Sequence, residues 1–576
     1  MKKTKIVCTL GPSSQTEEII EKLVLNGMNI ARLNFSHGTH ESHLDLINKI
    51  RNVSKKLNVP IGILQDLCGP KIRLGEIDGG SVTLTEGQTF SLTSSEMKGN
   101  KNIAYVSCQG LENDVKESDR ILIDDGLIAL KVEKVLSDSL QCKVMVGGVV
   151  SDHKGVNFPD TVLSLPSMTD KDIDDLQFGI ENKVDFVALS FVRKPEDVMK
   201  LKDIISKNNA NIIVISKIEK GEAIKNIDEI MKVTDGVMVA RGDLGVEIPI
   251  EDVPIVQKML IKKCNELFKP VITATQMLDS MIRNPFPTRA EVTDIANAIF
   301  DGTDAIMLSG ESASGKYPVE AVKMMTKTAE YTEKFLPYDK VTERSSKNNI
   351  VEAISLATCE LSEILDAKAI YSFTSSGRTA KMLSKYKPRA PVFAAVDNIP
   401  SLNKLVLFWG VYPFYHEEFV FTNESLDNVI DKTKNYGLIK DGDLVVLTGG
   451  IPPGVSGSTN MIKVHIAGHI FARGYSAGSL ETVTGKVCKA KNYDEAKLKI
   501  ENGDILITEK LDDDYKVLFP KLKGIVTTKS GSGSTDEGMV RQMNMPALLG
   551  VHNAFEMFTD ERIVTLDCNR GIIYEN

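Results

Sequence analysis

The chain has 576 residues, of which 42% are apolar and 26% charged, which suits a globular protein and argues against disorder, collagen or coiled coil along the whole length. That length predicts roughly three to five domains. Its 69 Lys plus Arg against 78 Asp plus Glu leave a formal net charge of −9, which removes any global attraction to nucleic acid or to an anionic membrane.

No apolar run approaches the ~18 residues of a membrane span. The start, MKKTKIVCTLGPSS, breaks its apolar run at Gly11-Pro12, too early for the core of a signal peptide, so a cytoplasmic location is expected. The eight cysteines form no CxxC pair and no zinc spacing, and are expected to be reduced and structural.

Over the first 335 residues, short β-branched runs alternate with helical patterns. Strands are predicted at 5–10, 29–33, 61–66, 184–191, 211–217, 236–240, 270–275 and 304–308. Helices are predicted at 16–26, 41–57, 195–206, 252–267 and 318–335. Eight such units suggest an α/β fold built on a (β/α)8 TIM barrel, with an open doubly wound sheet as the alternative. After Asp66 the pattern changes: residues 74 to about 163 read as short strands and turns. This is a small β domain inserted after the third strand, in a position that suits a lid.

The carboxyl ends of barrel strands carry the chemistry in this architecture. Here they are polar at seven of eight: Arg32, Asn34, Ser36 and His37 after strand 2; Asp66, Lys71 and Arg73 after strand 3; Arg193 and Lys194 after strand 4; Lys217 and Glu219 at strand 5; Arg241, Gly242 and Asp243 at strand 6; Thr275 at strand 7; Glu311 after strand 8. Several Lys and Arg can clamp phosphoryl oxygens. Two carboxylates such as Glu219 and Asp243 can share a hard divalent ion while leaving room for substrate oxygens. Arg241-Gly242-Asp243, read as lying just before a turn, offers backbone N–H groups to an anion. Metal-assisted chemistry on a small phosphorylated anion is the expectation. Taken singly, each residue also has a bland reading: a solvated surface cation, a cap at Asp66, a backbone partner at Thr275, a structural turn residue at His37. The string from Gly310 to Lys316 nearly spells a P-loop, but Tyr317 stands where the Mg²⁺-binding hydroxyl belongs.

In order, the strings KIVCTLGPSS, ARLNFSHG, GPKIR, SKIE, MVARGDLG, TATQML and MLSGESASGKYP closely resemble pyruvate kinase, over residues 3 to about 466. The resemblance implies transfer of the phosphoryl group of phosphoenolpyruvate to ADP, giving pyruvate and ATP, with Mg²⁺ or Mn²⁺ as cofactor. It makes Glu219 and Asp243 the divalent-metal ligands and Lys217 the cation at the transferring phosphoryl group and enolate. It gives Arg32 the phosphoryl group, and Gly242, Asp243 and Thr275 the substrate side, with Thr275 near the proton path. Arg73 and Lys194, with Asn34, Ser36 and His37, fall on the nucleotide side. Asn34, Ser36, Asp66 and the carbonyl of Leu67 match a monovalent-cation site. There the chain departs from potassium-dependent relatives, which resemble GPEIR: Lys71 replaces the Glu, Leu67 a Thr and Cys68 a Lys. A fixed ammonium can do what K⁺ does, so K⁺ independence is expected. A silent metabolite sensor and a barrel lyase or aldolase acting on enolates are the competing readings. The sensor reading sits badly with a full set of catalytic residue types, and the lyase reading leaves Arg73, Lys194 and the insert unexplained.

From about residue 341 the sequence reads as a smaller α/β domain with mostly parallel strands. Thr374-Ser375-Ser376-Gly377-Arg378-Thr379 follows a strand and opens a helix, a plausible cradle for a phosphate, with simple N-capping as the alternative. The resemblance makes it the allosteric region for a small phosphorylated effector, and implies a homotetramer. Residues 473–479 look like a linker. Beyond them, GDILIT, KGIVTTKSGSGSTDEG and MNMPALLGV resemble the swivelling phosphohistidine domain of phosphoenolpyruvate-utilising enzymes. The phosphoryl-accepting His of that motif falls on Thr535, a far weaker nucleophile, so this appendage is expected to be non-catalytic. The expected division is 1–67 with 166–340 (barrel), 68–165 (insert), 341–471 (α/β domain) and 477–576 (appendage).

Overall fold

The computed structural model describes residues 1–338, 349–417, 423–434, 437–450, 459–468 and 470–575. The boundary expected at 340/341 lies outside them. The chain divides into two compact units, Met1–Glu352 with Thr374–Tyr415, and Ala353–Phe373 with His416–Asn576.

The first unit is built on eight parallel strands: β1 (Lys5–Thr9), β2 (Ile30–Asn34), β3 (Gly62–Asp66), β4 (Phe186–Leu189), β5 (Ile213–Ile218), β6 (Gly236–Ala240), β7 (Val271–Ala274) and β8 (Ala305–Leu308). They close into a barrel in chain order, with β1 pairing both β2 and β8. The strands are buried on both faces, which is why they read as near-continuous apolar runs. Ile6, Leu33, Ile63, Val187, Val214, Val239 and Ile306 join the surrounding helices in one core. Several helices start at side-chain caps. Thr39, Thr169 and Thr288 each form a reciprocal capping box ahead of His40–Leu57, Asp170–Glu181 and Arg289–Asp301.

The insert between β3 and β4 is mostly β, with one short α-helix, Leu111–Asp114. A six-stranded sheet runs in the order 156–157, 120–123, 128–135, 139–146, 89–93, 103–105, beside a two-stranded one of 81–84 and 148–151. It has its own core around Phe90, Ile121, Leu130 and Val144. Its two connections to the barrel pair with each other, through the Arg73–Gly155 bridge and the bond from Leu74 N to the Lys154 carbonyl. They form a two-stranded stalk. The unit also holds the parallel pair Val392–Val396 and Val411–Tyr415.

In the second unit, Ala369–Phe373 pairs parallel with Leu444–Gly450, which pairs antiparallel with Thr459–Ile466. An eight-stranded sheet follows, in the order 470–473, 572–575, 563–567, 482–489, 504–508, 522–527, 547–549, 475–477. Residues 473–479, read as a linker, thus contribute the end of one edge strand, Ile470–Arg473, and the whole of another, Tyr475–Ala477. Gly474 sits between them where a Cβ would meet Val551 Cγ2 at 2.7 Å. Among the described residues no helix is long and apolar enough to cross a membrane.

Candidate active site

The ends of β1 to β5 converge on one buried carboxylate. Asp66, 1% exposed, takes Arg32 Nε at 2.7 Å on one oxygen and has Lys217 Nζ at 3.3 Å from the other. Arg32 also donates to Thr9 Oγ1 at 2.8 Å. Lys217 Nζ lies 2.9 Å from Glu219 Oε1 and donates to Ser190 Oγ at 2.8 Å, and Ser190 Oγ in turn donates to the Leu67 carbonyl at 2.6 Å. Burial alone would raise the Asp66 carboxyl, but Lys217 and Arg32 outweigh it and hold it below the ordinary carboxylate value. Burial would lower the Lys217 ammonium, but Asp66 and Glu219 hold it above its ordinary value. Thr9 and Ser190 were not singled out in the sequence, because a hydroxyl at a strand end is common and only the closed barrel brings these two to Arg32 and Lys217.

Glu219 is buried and its other oxygen accepts from Phe191 N at 2.7 Å. Phe191 reaches it with a φ of +53°, in the left-handed region that costs a non-glycine residue roughly 1–3 kcal/mol. Burial raises the Glu219 carboxyl; Lys217 lowers it and Asp243 raises it further. Asp243 is half-buried, and its carboxylate makes no hydrogen bond or ion pair among the described residues. Two neighbouring carboxylates, one buried beside Lys217 and one without a protein partner among the described residues, are hard oxygen donors. They fit a Mg²⁺ or Mn²⁺ ion. A different cluster, His40, Asp174 and Asp175, also gathers possible metal donors, but Lys171 Nζ already lies 2.5 Å from Asp175.

Arg241, Gly242 and Asp243 open the helix Arg241–Glu247 rather than lying just before a turn. Arg241 does not face the mouth. It pairs with Asp294 at 2.8 Å and donates to the Ala274 and Thr275 carbonyls at 3.2 and 2.7 Å. It thereby braces Thr275 and Gln276, whose φ values are +68° and +55°. Thr275 Oγ1 accepts from Gly242 N at 2.8 Å and donates to the Ala274 carbonyl at 2.6 Å. Glu311 is likewise drawn away, accepting from Leu278 N at 3.1 Å and Ser309 N at 2.7 Å.

On the nucleotide side the groups are looser. Lys194 and His37 are exposed. Arg73 lies in the stalk and donates to the His153 carbonyl at 3.1 Å. Asn34 Oδ1 accepts from Ser36 N at 3.2 Å. Lys71 is exposed, and shares with Phe191 and Asp243 the wall of a cavity of about 590 Å³ between stalk and barrel.

Farther along, Gly377 caps the helix Arg378–Lys385 with a φ of +76° and no side-chain bond. Ser375 Oγ donates to Asp397 at 2.6 Å. In the last domain Ser534 caps the helix Thr535–Gln542, and Thr535 is its first residue. Glu537 accepts from Gly533 N at 2.6 Å and from Arg541 Nε at 2.9 Å. Asp536 accepts from Leu511 N at 3.0 Å and from Ser530 Oγ.

Three family models match this chain: pyruvate kinase, barrel domain, over residues 1–322; pyruvate kinase, alpha/beta domain, over 352–465; and PEP-utilising enzyme, mobile domain, over 500–571. Among curated proteins, the pyruvate kinases of Sporosarcina psychrophila, Geobacillus stearothermophilus and Bacillus licheniformis are each 44% identical. The alignments cover 100% of this chain and 99%, 98% and 99% of those proteins.

Proposed function

Because this chain belongs to the pyruvate kinase family, we propose that it transfers the phosphoryl group of phosphoenolpyruvate to ADP with the barrel-mouth residues in the following roles. Glu219 and Asp243 hold the divalent cation, which when bound neutralises charge on the phosphoryl and enolate oxygens. Lys217, fixed as an ammonium by Asp66 and Glu219, faces the charge that builds as the phosphoryl group leaves the enolate oxygen. Arg32 is held by Asp66 and Thr9 with its remaining donors free to contact the phosphoryl group. Gly242 and Thr275 orient the carboxylate of the substrate, and Thr275 stands where the enolate carbon is protonated. Arg73 and Lys194, with Asn34, Ser36 and His37, contact the nucleotide when the insert closes as a lid. The observation that carries this reading is the buried Arg32–Asp66–Lys217–Glu219 chain. A coupled assay of pyruvate formation with ADP and Mg²⁺ tests it, and no turnover would refute it.

We propose that K⁺ is not required. Asp66 is already matched by two cations, the Leu67 carbonyl by Ser190, and Asn34 by the Ser36 amide, and Lys71 supplies a fixed ammonium where potassium-dependent relatives carry a Glu. We propose that the Thr374–Thr379 segment, which leads into the helix Arg378–Lys385, serves as the site of a small phosphorylated effector. We further propose that residues 477–576 form a non-catalytic appendage, that the enzyme works in the cytoplasm as a homotetramer, and that the chain divides into a barrel (1–67 with 166–340), an insert (68–165), an α/β domain (341–471) and the appendage (477–576).

A further inference from the structure

One carboxylate ties the stalk of the insert to both metal-bearing segments of the barrel. Glu247 ends the helix that begins Arg241-Gly242-Asp243, four residues after Asp243, and its side chain is 3% exposed. Its Oε1 accepts from Asn157 Nδ2 at 2.7 Å and from Lys220 Nζ at 2.5 Å. Asn157 ends the last strand of the insert, Val156–Asn157. Lys220 directly follows Glu219 in the chain. All three residues, with Asp243, line the 590 Å³ cavity between stalk and barrel.

The chemistry of the three partners differs. A carboxylate this deeply buried is destabilising unless it is paired, and Lys220 supplies the pairing charge. The amide of Asn157 is not needed for charge balance. What it adds is direction, since a hydrogen bond to a charged group is short-ranged and angular. The insert has a second hold on the barrel, from Arg193, which donates to the Leu163 and Leu165 carbonyls at 2.7 and 2.6 Å. That hold grips the backbone of the return linker from a position two residues after Phe191, whose amide binds Glu219. Among the described residues, the Glu247 bridge is what joins the stalk by hydrogen bonds to the helix that carries Asp243 and to Lys220, which follows Glu219.

We propose that Glu247 is a positioning residue: through Asn157 and Lys220 it couples the pose of the insert to the placement of Asp243 and Glu219. The proposal rests on reading residues 68–165 as a lid over a pyruvate kinase site. A pose set by Asn157 fixes how Arg73 and Lys71 meet the nucleotide, and tension on Glu247 reaches the divalent position within one helical turn.

The test uses the full chain and reads binding apart from turnover. Mn²⁺ affinity is measured without substrates by electron paramagnetic resonance, amide exchange is followed at residues 72–74 and 154–157, and ADP KM and kcat are measured separately. Asn157→Ala is expected to speed exchange in the stalk and to raise the ADP KM by about tenfold, the scale of one hydrogen bond to a charged group, with kcat changed less than threefold. Glu247→Gln keeps an acceptor for Asn157 and loses the charge facing Lys220. It is expected to weaken Mn²⁺ several-fold and leave stalk exchange near that of the parent. Should Glu247→Gln not fold, Asn157→Ala still decides the matter, because it alters the insert and leaves the charge pair intact. Unchanged stalk exchange and an ADP KM within twofold in Asn157→Ala would overturn the proposal. An inactive parent chain would instead refute the reading of the site, since the exchange and Mn²⁺ measurements need no turnover.

Discussion

At the barrel mouth Asp66 is met by two cations, Arg32 and Lys217. At the start of the helix Thr535–Gln542 in the last domain, the neighbouring carboxylates Asp536 and Glu537 are met mainly by neutral donors: the amides of Leu511 and Gly533 and the hydroxyls of Ser530 and Tyr475. Both regions descend from families that handle phosphoenolpyruvate, and their electrostatics now differ in sign. In the first, buried carboxylates pair with the buried cations Arg32 and Lys217. In the second, the chain's own carboxylates fill the helix N-terminus, where an anion would otherwise be favoured. The Gly533 amide, with Arg541 and Tyr475, holds the Glu537 carboxyl below its ordinary value. At the mouth two cations are paired with two buried carboxylates, whereas at the helix start the carboxylates take mostly neutral donors.

The strongest way to break this contrast is Lys217→Met. It removes the charge facing the phosphoryl group and leaves Asp66 and Glu219 without a shared partner. Turnover is expected to fall roughly 10²–10³-fold or more, and the folded state to lose about 3–5 kcal/mol as a buried ion pair is broken. Coupled assay and denaturant unfolding measure the two, and near-normal turnover would contradict the role given to Lys217. Next in size is Lys71→Glu, which reverses the charge on the stalk. With tetramethylammonium as the background salt, the parent is expected to be active without K⁺. The variant is expected to lose about tenfold and to recover on adding K⁺, as one fixed charge is exchanged for a bound ion. A parent chain strongly stimulated by K⁺ would sink the idea.

These contrasts were unevenly legible in the sequence. The eight barrel strands were, because burial on both faces forces apolar β-branched runs that a single chain displays openly. Observed strand ends lie within about two residues of the expected ones. Arg32, Asp66, Lys217 and Glu219 were found because strand ends in a closed barrel share one mouth. Arg241 and Glu311 satisfied the same count yet turn aside, drawn to Asp294 and to the backbone of the turns at Ala274–Thr275 and Leu278–Ser309. Which partner a charged side chain chooses depends on distances across the fold, and no spacing rule reports it. The edge strands at 470–473 and 475–477 were missed for a different reason. They are short, are bonded through backbone rather than side chains, and straddle a glycine, so they carry the composition of a linker.

The same contrast predicts a silent region at its other end. Asp536 is 2% exposed and satisfies the Leu511 amide and the Ser530 hydroxyl. Asp536→Ala strands both donors and is expected to destabilise the last domain by about 2–3 kcal/mol. Turnover should stay within twofold on the proposal that the appendage is non-catalytic; a tenfold loss of kcat would make it part of the catalytic machinery.

The smallest expected effect is zero. His552 is the one imidazole in residues 477–576, and its Nδ1 donates to the Thr528 carbonyl at 3.1 Å, on an exposed turn. Thr535, at the position where the related domains carry their phosphoryl-accepting histidine, has an adjacent carboxylate, Asp536, but that carboxylate is already committed to two donors and is a weak base for activating a hydroxyl. Incubation with phosphoenolpyruvate radiolabelled in its phosphoryl group should therefore leave no covalent label on this domain, neither acid-labile as on histidine nor acid-stable as on threonine, after brief proteolysis and separation of its peptides. Label on the peptide containing His552 would show that a second phosphoryl acceptor had moved along the chain. Label on the peptide containing Thr535 would show that the carboxylates do not close the old site. Either result would end the contrast between an open cationic mouth and a closed anionic one.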